Sequence, residues 1–181
     1  KSSAASDVYK RQYREIALSR DQKYSSLARY DNAVLSQQIN ALSLNEAIGE
    51  LEKLRFAWTE PKFKWELLNR LADFYVKNAD YYNALKTLKE TLPMATPDQR
   101  RTLLAKMVQW FEDIYINNQA DNSLSAVKSL ALYQDFEWLA ARSKHQNEII
   151  QKLADRLVAV DLLPRCLLYT SPSPRDRSVS R

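Results

Sequence analysis

The chain has 181 residues, a formal net charge of +5, and only one glycine, one histidine and one cysteine. A single cysteine leaves no intramolecular disulfide, and one histidine with one cysteine leaves no zinc cluster of the usual His/Cys type. No apolar run approaches the roughly 18 residues of a membrane-spanning helix.

The two ends of the chain are related to each other at the level of DNA. Residues 7–12, DVYKRQ, can be encoded by GAT GTG TAT AAG AGA CAG, whose reverse complement, read one base along, encodes CLLYTS, residues 166–171. These ends resemble the translated adaptors of a transposon-based sequencing library. We therefore interpret residues 1–12 and 166–181 as adaptor-derived, and expect the second segment to be disordered. Tyr13 to Arg165 is then expected to be an internal fragment of a longer, bacterial or metagenomic gene.

Setting the adaptor-derived ends aside changes the charge. They hold six Lys or Arg and two Asp residues, so the interior carries a formal charge of about +1 and, because Cys166 is also excluded, no thiol. A nucleic-acid-binding protein usually presents a basic stripe that neutralises phosphates. The interior composition therefore disfavours that class. It indicates no compartment, and both a cytoplasmic and a periplasmic location stay open.

Leu, Ala, Lys, Glu and Gln dominate the interior, which predicts an all-α domain over residues 25–163, with 13–24 left as helix or disorder. The apolar spacing predicts four helices in the first half, over residues 25–41, 44–56, 61–78 and 81–92. Pro61 suits the first turn of the third helix, after a start signal at Thr59 and Glu60. Asn78 is expected to end that helix because Asn tolerates the left-handed backbone.

Three more helices are predicted in the second half. Thr96, Pro97 and Gln99 predict a capping box at the start of the fifth helix, which runs to about Asn117. Asn122 and Ser123 are expected to cap the sixth helix. Its expected apolar face is Leu124, Val127, Leu130, Ala131 and Phe136. The seventh begins near Gln146 with an expected apolar face of Ile150, Leu153, Ala154 and Leu157. The short connections predict antiparallel neighbours.

The third and fourth helices resemble one tetratricopeptide repeat (TPR). Large, small and aromatic side chains occupy the positions at which this family has them: Leu68, Leu71, Ala72, Tyr75, Ala84, Leu85 and Leu88. Trp65 takes the first position of the unit, Thr91 replaces a small residue, and Ala79 replaces the usual turn glycine. Weaker copies of the pattern occur before and after. The resemblance implies three to four antiparallel hairpins stacked as a right-handed superhelix, an α-solenoid fragment.

The interior shows no constellation of catalytic, metal-binding or cofactor-binding residues. His145 lies in a polar interhelix stretch and is interpreted as a solvated loop histidine, and Gly49 alone supplies no phosphate-binding loop. The four tryptophans, which a stacking surface for bases or glycans would use, are interpreted as packing between helices: Trp58, Trp65, Trp110 and Trp138. We therefore expect a protein that is not an enzyme and holds no cofactor or metal.

The TPR resemblance also implies a binding surface. In TPR superhelices one face of each first helix lines a concave groove that takes a peptide or a partner helix. At the matching positions of this chain that face comprises Glu66, Asn69, Asp73, Thr102, Gln109, Glu112, Gln151 and Asp155. Amides suit hydrogen bonding to an extended backbone, and carboxylates favour a basic segment. The expected function is a non-catalytic protein–protein interaction scaffold.

Two other functions stay open at this point. The first is that the chain is the helical-repeat accessory segment of a larger enzyme, for example a cell-envelope one whose catalytic domain lies elsewhere. The second is that it is an RNA-binding helical repeat. The interior charge of about +1 argues against RNA. The identity of the protein or peptide partner, the number of repeats and the oligomeric state do not follow from the sequence.

Overall fold

A computed structural model of the chain describes residues 22–57, 60–117 and 124–159. Within these ranges the backbone forms seven α-helices and one short 3-10 helix, and no β-strand. The helices are α1 (Gln22–Gln38), α2 (Leu44–Leu54), α3 (Pro61–Lys77), α4 (Tyr81–Thr91), α5 (Pro97–Tyr115), α6 (Ala126–Ala140) and α7 (Gln146–Ala159). The predicted all-α class is confirmed for this part of the chain.

Several predicted features lie outside the described residues. These features are the two ends that we interpret as adaptor-derived, residues 13–21 of the undecided segment, the last residues of the predicted domain, Trp58, Thr59 and the expected caps Asn122 and Ser123. The described helices divide between two compact units, Lys1–Met107 and Val108–Arg181, with the boundary inside α5. Each unit is described by itself below.

Two helices of the first unit begin with capping boxes. At α2 the amide of Ser43 donates to the carboxylate of Glu46 at 2.8 Å, and the Glu46 amide donates to the Ser43 hydroxyl at 3.3 Å. At α5 the Thr96 amide donates to Gln99 Oε1 at 2.9 Å, and the Gln99 amide donates to the Thr96 hydroxyl at 3.4 Å. The box predicted at Thr96 is confirmed. Each cap satisfies backbone N–H groups that the helix leaves unpaired and contributes about 1 kcal/mol.

The ends of α1 and α3 share one C-cap geometry, in which a non-glycine residue takes the left-handed backbone. Asn40 has φ 56° and Ala79 has φ 58°. After α3 the Asp80 amide donates to the Tyr75 carbonyl at 2.8 Å, which is the six-residue bond of a Schellman motif. The predicted break of the helix at residues 78–80 is confirmed, but the left-handed residue within it is Ala79 and not Asn78. Asn78 has φ −87° and still lies near the helical region, so Ala79 makes the turn.

The core of the α3–α4 hairpin is formed by the residues that carry the TPR resemblance. Ala72 and Ala84 are fully buried, one in each helix, and small side chains at such positions allow two helices to approach closely. The large buried residues around them are Leu68, Leu71, Leu85 and Leu88. Each buried leucine stabilises the fold by about 1.5 to 3 kcal/mol.

Thr91, at the end of α4, shows how this core tolerates a hydroxyl. The side chain is fully buried, and its hydroxyl donates to the Leu88 carbonyl at 2.7 Å, so the polar group is satisfied. The next residues continue as the 3-10 helix Leu92–Met94, which contains Pro93. The α-helix therefore ends before this proline, as predicted.

A second apolar cluster joins α1, α2 and α3. Its buried members are Ala33, Val34, Ala47, Ile48, Leu51, Leu54, Phe63, Leu67, Leu71 and Phe74. All four buried residues of α2 are among them. Phe63 and Leu71 of α3 belong to this cluster. Because α3 also forms the hairpin core with α4, it packs on α4 with one side and on the α1–α2 pair with another.

A polar network links α2, α3 and α4 at the edge of these clusters. The Arg55 guanidinium donates to the Glu52 carboxylate at 2.9 Å and to Glu90 at 3.0 Å, and it lies 3.3 Å from the hydroxyl of the buried Thr87. The Tyr75 hydroxyl donates to Glu52 at 2.7 Å. Burial and this carboxylate raise the pKa of Tyr75, so the phenol stays protonated and continues to donate.

In the second unit a chain of hydrogen bonds links three helices that also bury apolar residues. The Tyr115 hydroxyl of α5 donates to the backbone carbonyl of Ser129 in α6 at 2.8 Å. The Ser129 hydroxyl accepts from the Arg156 guanidinium of α7 at 3.2 Å. The rings of Phe111 and Tyr133 pack beside Tyr115, with centroids 4.9 Å and 6.2 Å from its ring. Three helices therefore meet at Ser129.

The apolar faces predicted for α6 and α7 are partly wrong. In α6, Val127 and Ala131 are exposed, whereas the buried face is Ala126, Ser129, Leu132, Phe136, Leu139 and Ala140. In α7, Ile150 is exposed, and the adjacent Ile149 is buried in line with Leu153 and Leu157. Apolar residues occur on more than one side of both helices, so spacing alone did not identify the buried side. The described N-cap of α6 is Ser125, whose hydroxyl accepts from the Lys128 amide at 3.4 Å.

Candidate interaction surface

In the first unit, α3 contacts both α1 and α5. The rings of Tyr30 in α1 and Phe63 in α3 meet edge to face, with centroids 5.7 Å apart. The Lys106 ammonium of α5 lies 2.6 Å from the Asp73 carboxylate of α3. This ion pair is about one-third exposed, so it contributes at most about 1 kcal/mol. It joins α3 to α5 between the Asp73 and Lys106 side chains.

Two open depressions lie along α3, one toward each neighbouring helix. The first, which we call the Tyr30 depression, has a volume of about 320 Å³ and is lined by Tyr30, Trp65, Glu66, Asn69, Arg70 and Asp73. The second, the Thr102 depression, has a volume of about 350 Å³ and is lined by Trp65, Asn69, Asp98, Gln99, Thr102, Leu103 and Lys106. Trp65 and Asn69 belong to both. The two depressions therefore share one wall, formed by one turn of α3.

The shared wall is held in place by a local hydrogen bond. The side-chain amide of Asn69 donates to the Trp65 carbonyl at 2.9 Å, one turn back along α3. Its oxygen accepts no hydrogen bond within the described part of the chain. Both side chains are half-buried. An indole face next to an amide offers an apolar contact and a hydrogen-bonding group to whatever enters either depression.

The Tyr30 depression is lined by two carboxylates, Glu66 and Asp73, and by the guanidinium of Arg70. Burial, and then the nearby Glu66 carboxylate, raise the pKa of Asp31, which lies next to Tyr30 in α1. Within the described ranges neither Asp31 nor Glu66 belongs to an ion pair. The negative charges of Asp31 and Glu66 repel each other, and this repulsion weakens the fold. Asp73 differs, since Lys106 neutralises it.

The structure brings together four of the eight residues predicted for the groove. Glu66, Asn69 and Asp73 line the Tyr30 depression, and Thr102 lines the Thr102 depression with Asn69. The other four lie in the second unit, where Gln109, Gln151 and Asp155 are exposed. Glu112 is half-buried and accepts a hydrogen bond from the Ser143 hydroxyl at 2.5 Å. Its carboxylate is thus engaged within its own unit.

The depressions also contain residues that the sequence analysis did not place there. Tyr30, Arg70 and Lys106 were not among the predicted surface residues, and Trp65 was interpreted as packing between helices. The signal for Trp65 and Arg70 is visible in the sequence. Trp65 lies four residues before Asn69, and Arg70 lies four residues after Glu66 and three before Asp73, which are the spacings of one helix face. The signal for Tyr30 and Lys106 is tertiary, because both come from neighbouring helices.

The described histidine and the other two described tryptophans lie outside both depressions. His145 is more than half exposed, and its Nδ1 lies 3.4 Å from the Glu148 carboxylate. Trp110 and Trp138 are half-buried, and the Arg142 guanidinium lies 6.0 Å from the Trp138 ring centroid. Among the described residues there is no cluster of three or more potential metal ligands, and no helix there has the length and hydropathy to cross a bilayer.

Comparisons of the chain with protein-family models, with curated proteins and with solved structures found no match.

Proposed function

We propose that this chain is a non-catalytic protein–protein interaction module, built from TPR-like hairpins, that holds a peptide or a partner helix along the face of α1, α3 and α5. The observation that carries the proposal is the pair of depressions on this face. They flank one helix, share Trp65 and Asn69, and together offer aromatic, amide and charged side chains along about two turns of α3. A surface of this length suits a peptide or a helix better than a single small molecule.

The spacing of long-range contacts supports a repeated architecture. Several of the pairs that join different helices have a similar sequence separation: 33 residues for Tyr30–Phe63, 33 for Asn45–Asn78, 33 for Asp73–Lys106, and 32 and 35 for Arg55 with Thr87 and Glu90. In the second unit Glu112 and Ser143 are 31 apart. A stack of helical hairpins has this property because each residue meets its counterpart in the next repeat.

The buried small residues support the same architecture. Ala72 and Ala84 are fully buried in α3 and α4, where the TPR pattern requires small side chains. Ala79 takes the left-handed backbone at the position of the usual turn glycine. The turn is therefore formed even where the typical residue is missing.

Two features make the rival functions less favourable. A phosphate backbone would meet the Glu66 carboxylate at the Tyr30 depression, where Asp73 is already paired with Lys106, and this repulsion opposes binding of RNA there. Catalysis needs a nucleophile, base or metal in a defined geometry, and neither depression pairs such groups. An accessory role in a larger enzyme is compatible with the proposal, since such a segment would also bind through its surface.

Selection of peptides tests the proposal without a known partner. A random library of about 12-residue peptides displayed on phage is panned against the full chain. Retained peptides are then titrated by fluorescence polarisation. We expect Asn69→Ala combined with Thr102→Ala to weaken binding about tenfold or more, because the two side chains line the shared depressions and lose polar contacts to peptide backbone.

The control is Lys86→Ala, an exposed change on α4 that lines neither depression. It is expected to leave the affinity within about twofold, and circular dichroism checks that both variants stay folded. Failure to retain any peptide, or equal binding by the Asn69/Thr102 variant and the wild type, would contradict the proposed function.

A further inference from the structure

The Tyr30 depression combines two features that favour one kind of side chain. Its lining includes the aromatic residues Tyr30 of α1 and Trp65 of α3, and Glu66, which follows Trp65 on α3. Aromatic faces attract a cation and pack against the apolar stem that carries it. The volume of about 320 Å³ accommodates one long side chain rather than a segment of backbone with several.

The carboxylates around this depression are not all neutralised by the fold. Asp73 is paired with Lys106, but Asp31 and Glu66 form no ion pair with described side chains, although they repel each other. A bound cation would relieve that repulsion. An anionic or neutral side chain would not, and an anionic one would add to it.

Building on the proposed function, we propose that the Tyr30 depression selects a positively charged side chain, preferably the guanidinium of an arginine, of the bound peptide. The planar guanidinium stacks on Trp65 or Tyr30 and donates to the Glu66 carboxylate. Arginine is preferred over lysine because its planar fork both stacks on a ring and bonds a carboxylate in two places.

Arg70 also lines the depression and supplies an internal check. It lies one turn after Glu66 on α3 and is not ion-paired with it. Its positive charge opposes an incoming guanidinium. Removing that charge and removing the charge of Glu66 must therefore change the affinity in opposite directions, which a merely structural role of these residues would not produce.

The test uses arrays of peptides in which the central residue is arginine, citrulline or glutamate and the flanking positions are random. Citrulline keeps the shape of arginine but has no charge. The full chain is expected to bind the arginine array about tenfold more strongly than the citrulline array, and the glutamate array most weakly. Asp31→Asn with Glu66→Gln should reduce the arginine preference to less than about threefold. Arg70→Gln should increase it.

The matched control is Glu137→Gln, which removes the same charge from an exposed position of the second unit and should leave the preference unchanged. Equal binding of arginine and citrulline peptides by the wild type would overturn this inference, as would an unchanged preference in the Asp31/Glu66 variant. If binding is lost on Asn69→Ala with Thr102→Ala but shows no arginine preference, only this inference fails. If no peptide array is bound, the proposed function fails with it.

Discussion

The α3–α4 hairpin and the α5–α6–α7 assembly hold their helices together by partly different means. In the hairpin the contact is apolar and close, with Ala72 and Ala84 fully buried between leucines. In the second unit buried apolar residues are joined by polar contacts between helices, from the Tyr115 hydroxyl to the Ser129 backbone and from the Arg156 guanidinium to the Ser129 hydroxyl. Both regions therefore depend on filled volume, and the second depends also on the direction of its hydrogen bonds.

The largest expected effects come from emptying buried sites, and they test which residues form the core of each region. Leu71→Ala in the hairpin and Leu132→Ala in α6 each empty a fully buried site and should lower the free energy of unfolding by about 2 to 5 kcal/mol. Val127→Ala, at an exposed position of α6 that the sequence pattern assigned to the core, should change it by less than about 0.5 kcal/mol. Urea unfolding measures all three. A large loss for Val127→Ala would show that the buried side of α6 is assigned incorrectly.

Overpacking tests the close approach of the hairpin helices. Ala72→Leu adds volume where α3 and α4 leave none and should cost about 1 to 3 kcal/mol. The same change at Ala131, which is exposed on α6, should be nearly neutral. Because the substitution is identical, urea unfolding of the two variants separates the effect of burial from the effect of the side chain's own chemistry. Equal tolerance at both positions would contradict the small-residue account of the hairpin.

Loss of a single hydroxyl tests the polar account of the second unit. Tyr115→Phe removes the donor to the Ser129 carbonyl while keeping the ring in its aromatic cluster, and should cost about 0.5 to 1.5 kcal/mol. Tyr24→Phe, at a side chain that is 56% exposed, serves as the control and should be neutral. Thermal unfolding followed by circular dichroism measures the difference. If the two variants melted at the same temperature, the hydrogen bond from Tyr115 to Ser129 would contribute nothing measurable to stability.

A stabilising change tests the turn of the hairpin. Ala79→Gly should raise the free energy of unfolding by up to about 1 kcal/mol, because glycine accepts the left-handed backbone that strains alanine. Asn40→Gly, at the corresponding turn after α1, should gain less, since Asn tolerates this conformation better. Unfolding in urea compares the two. Destabilisation by Ala79→Gly would mean that the turn does not need a positive φ.

The smallest effects are two pH dependences of opposite sign. Because burial and Glu66 raise the pKa of Asp31 above its value in the unfolded chain, the charged form weakens the fold at neutral pH and protonation relieves this as the pH falls. Asp31→Asn should therefore stabilise at neutral pH, and the gain should vanish in acid. Hydrogen bonds from the Ser43 hydroxyl and amide lower the pKa of Glu46, so its contribution is present at neutral pH and lost as the pH falls.

Urea unfolding of Asp31→Asn and Glu46→Gln across the acid range checks both signs. Glutamine preserves the capping geometry without the charge. Stabilisation of the wild type by ionised Asp31, or a Glu46 contribution that grows toward acid, would contradict the charge assignments.

Local chemistry made most of the first unit predictable. Thr96 and Gln99 form a cap through neighbouring residues, and Ala47, Ile48, Leu51 and Leu54 lie on a single apolar stripe, so α2 has only one side to bury. The positions of Leu71 and Ala72 follow from the same periodicity. These features depend on residues within a few turns of each other, which is the range that a sequence pattern samples.

Other features depend on tertiary contacts and were missed. Ile149 and Ile150 are adjacent, and only packing against α6 decides which is buried. The Tyr30 depression needs α1 and α3 side by side, and Lys106 reaches Asp73 from 33 residues away. The left-handed residue after α3 is Ala79 rather than Asn78, although Asn has the stronger preference for this conformation.

The most direct test of the interaction surface observes it during binding. A ¹H–¹⁵N correlation spectrum of the full chain is recorded while a phage-selected peptide is added, with the indole N–H of Trp65 assigned through Trp65→Phe. The account predicts that this signal and the side-chain amide of Asn69 shift in a saturable manner, while the Lys86 amide of α4 does not. Shifts confined to α4 or to the second unit, with the Trp65 and Asn69 signals unmoved at saturation, would contradict it.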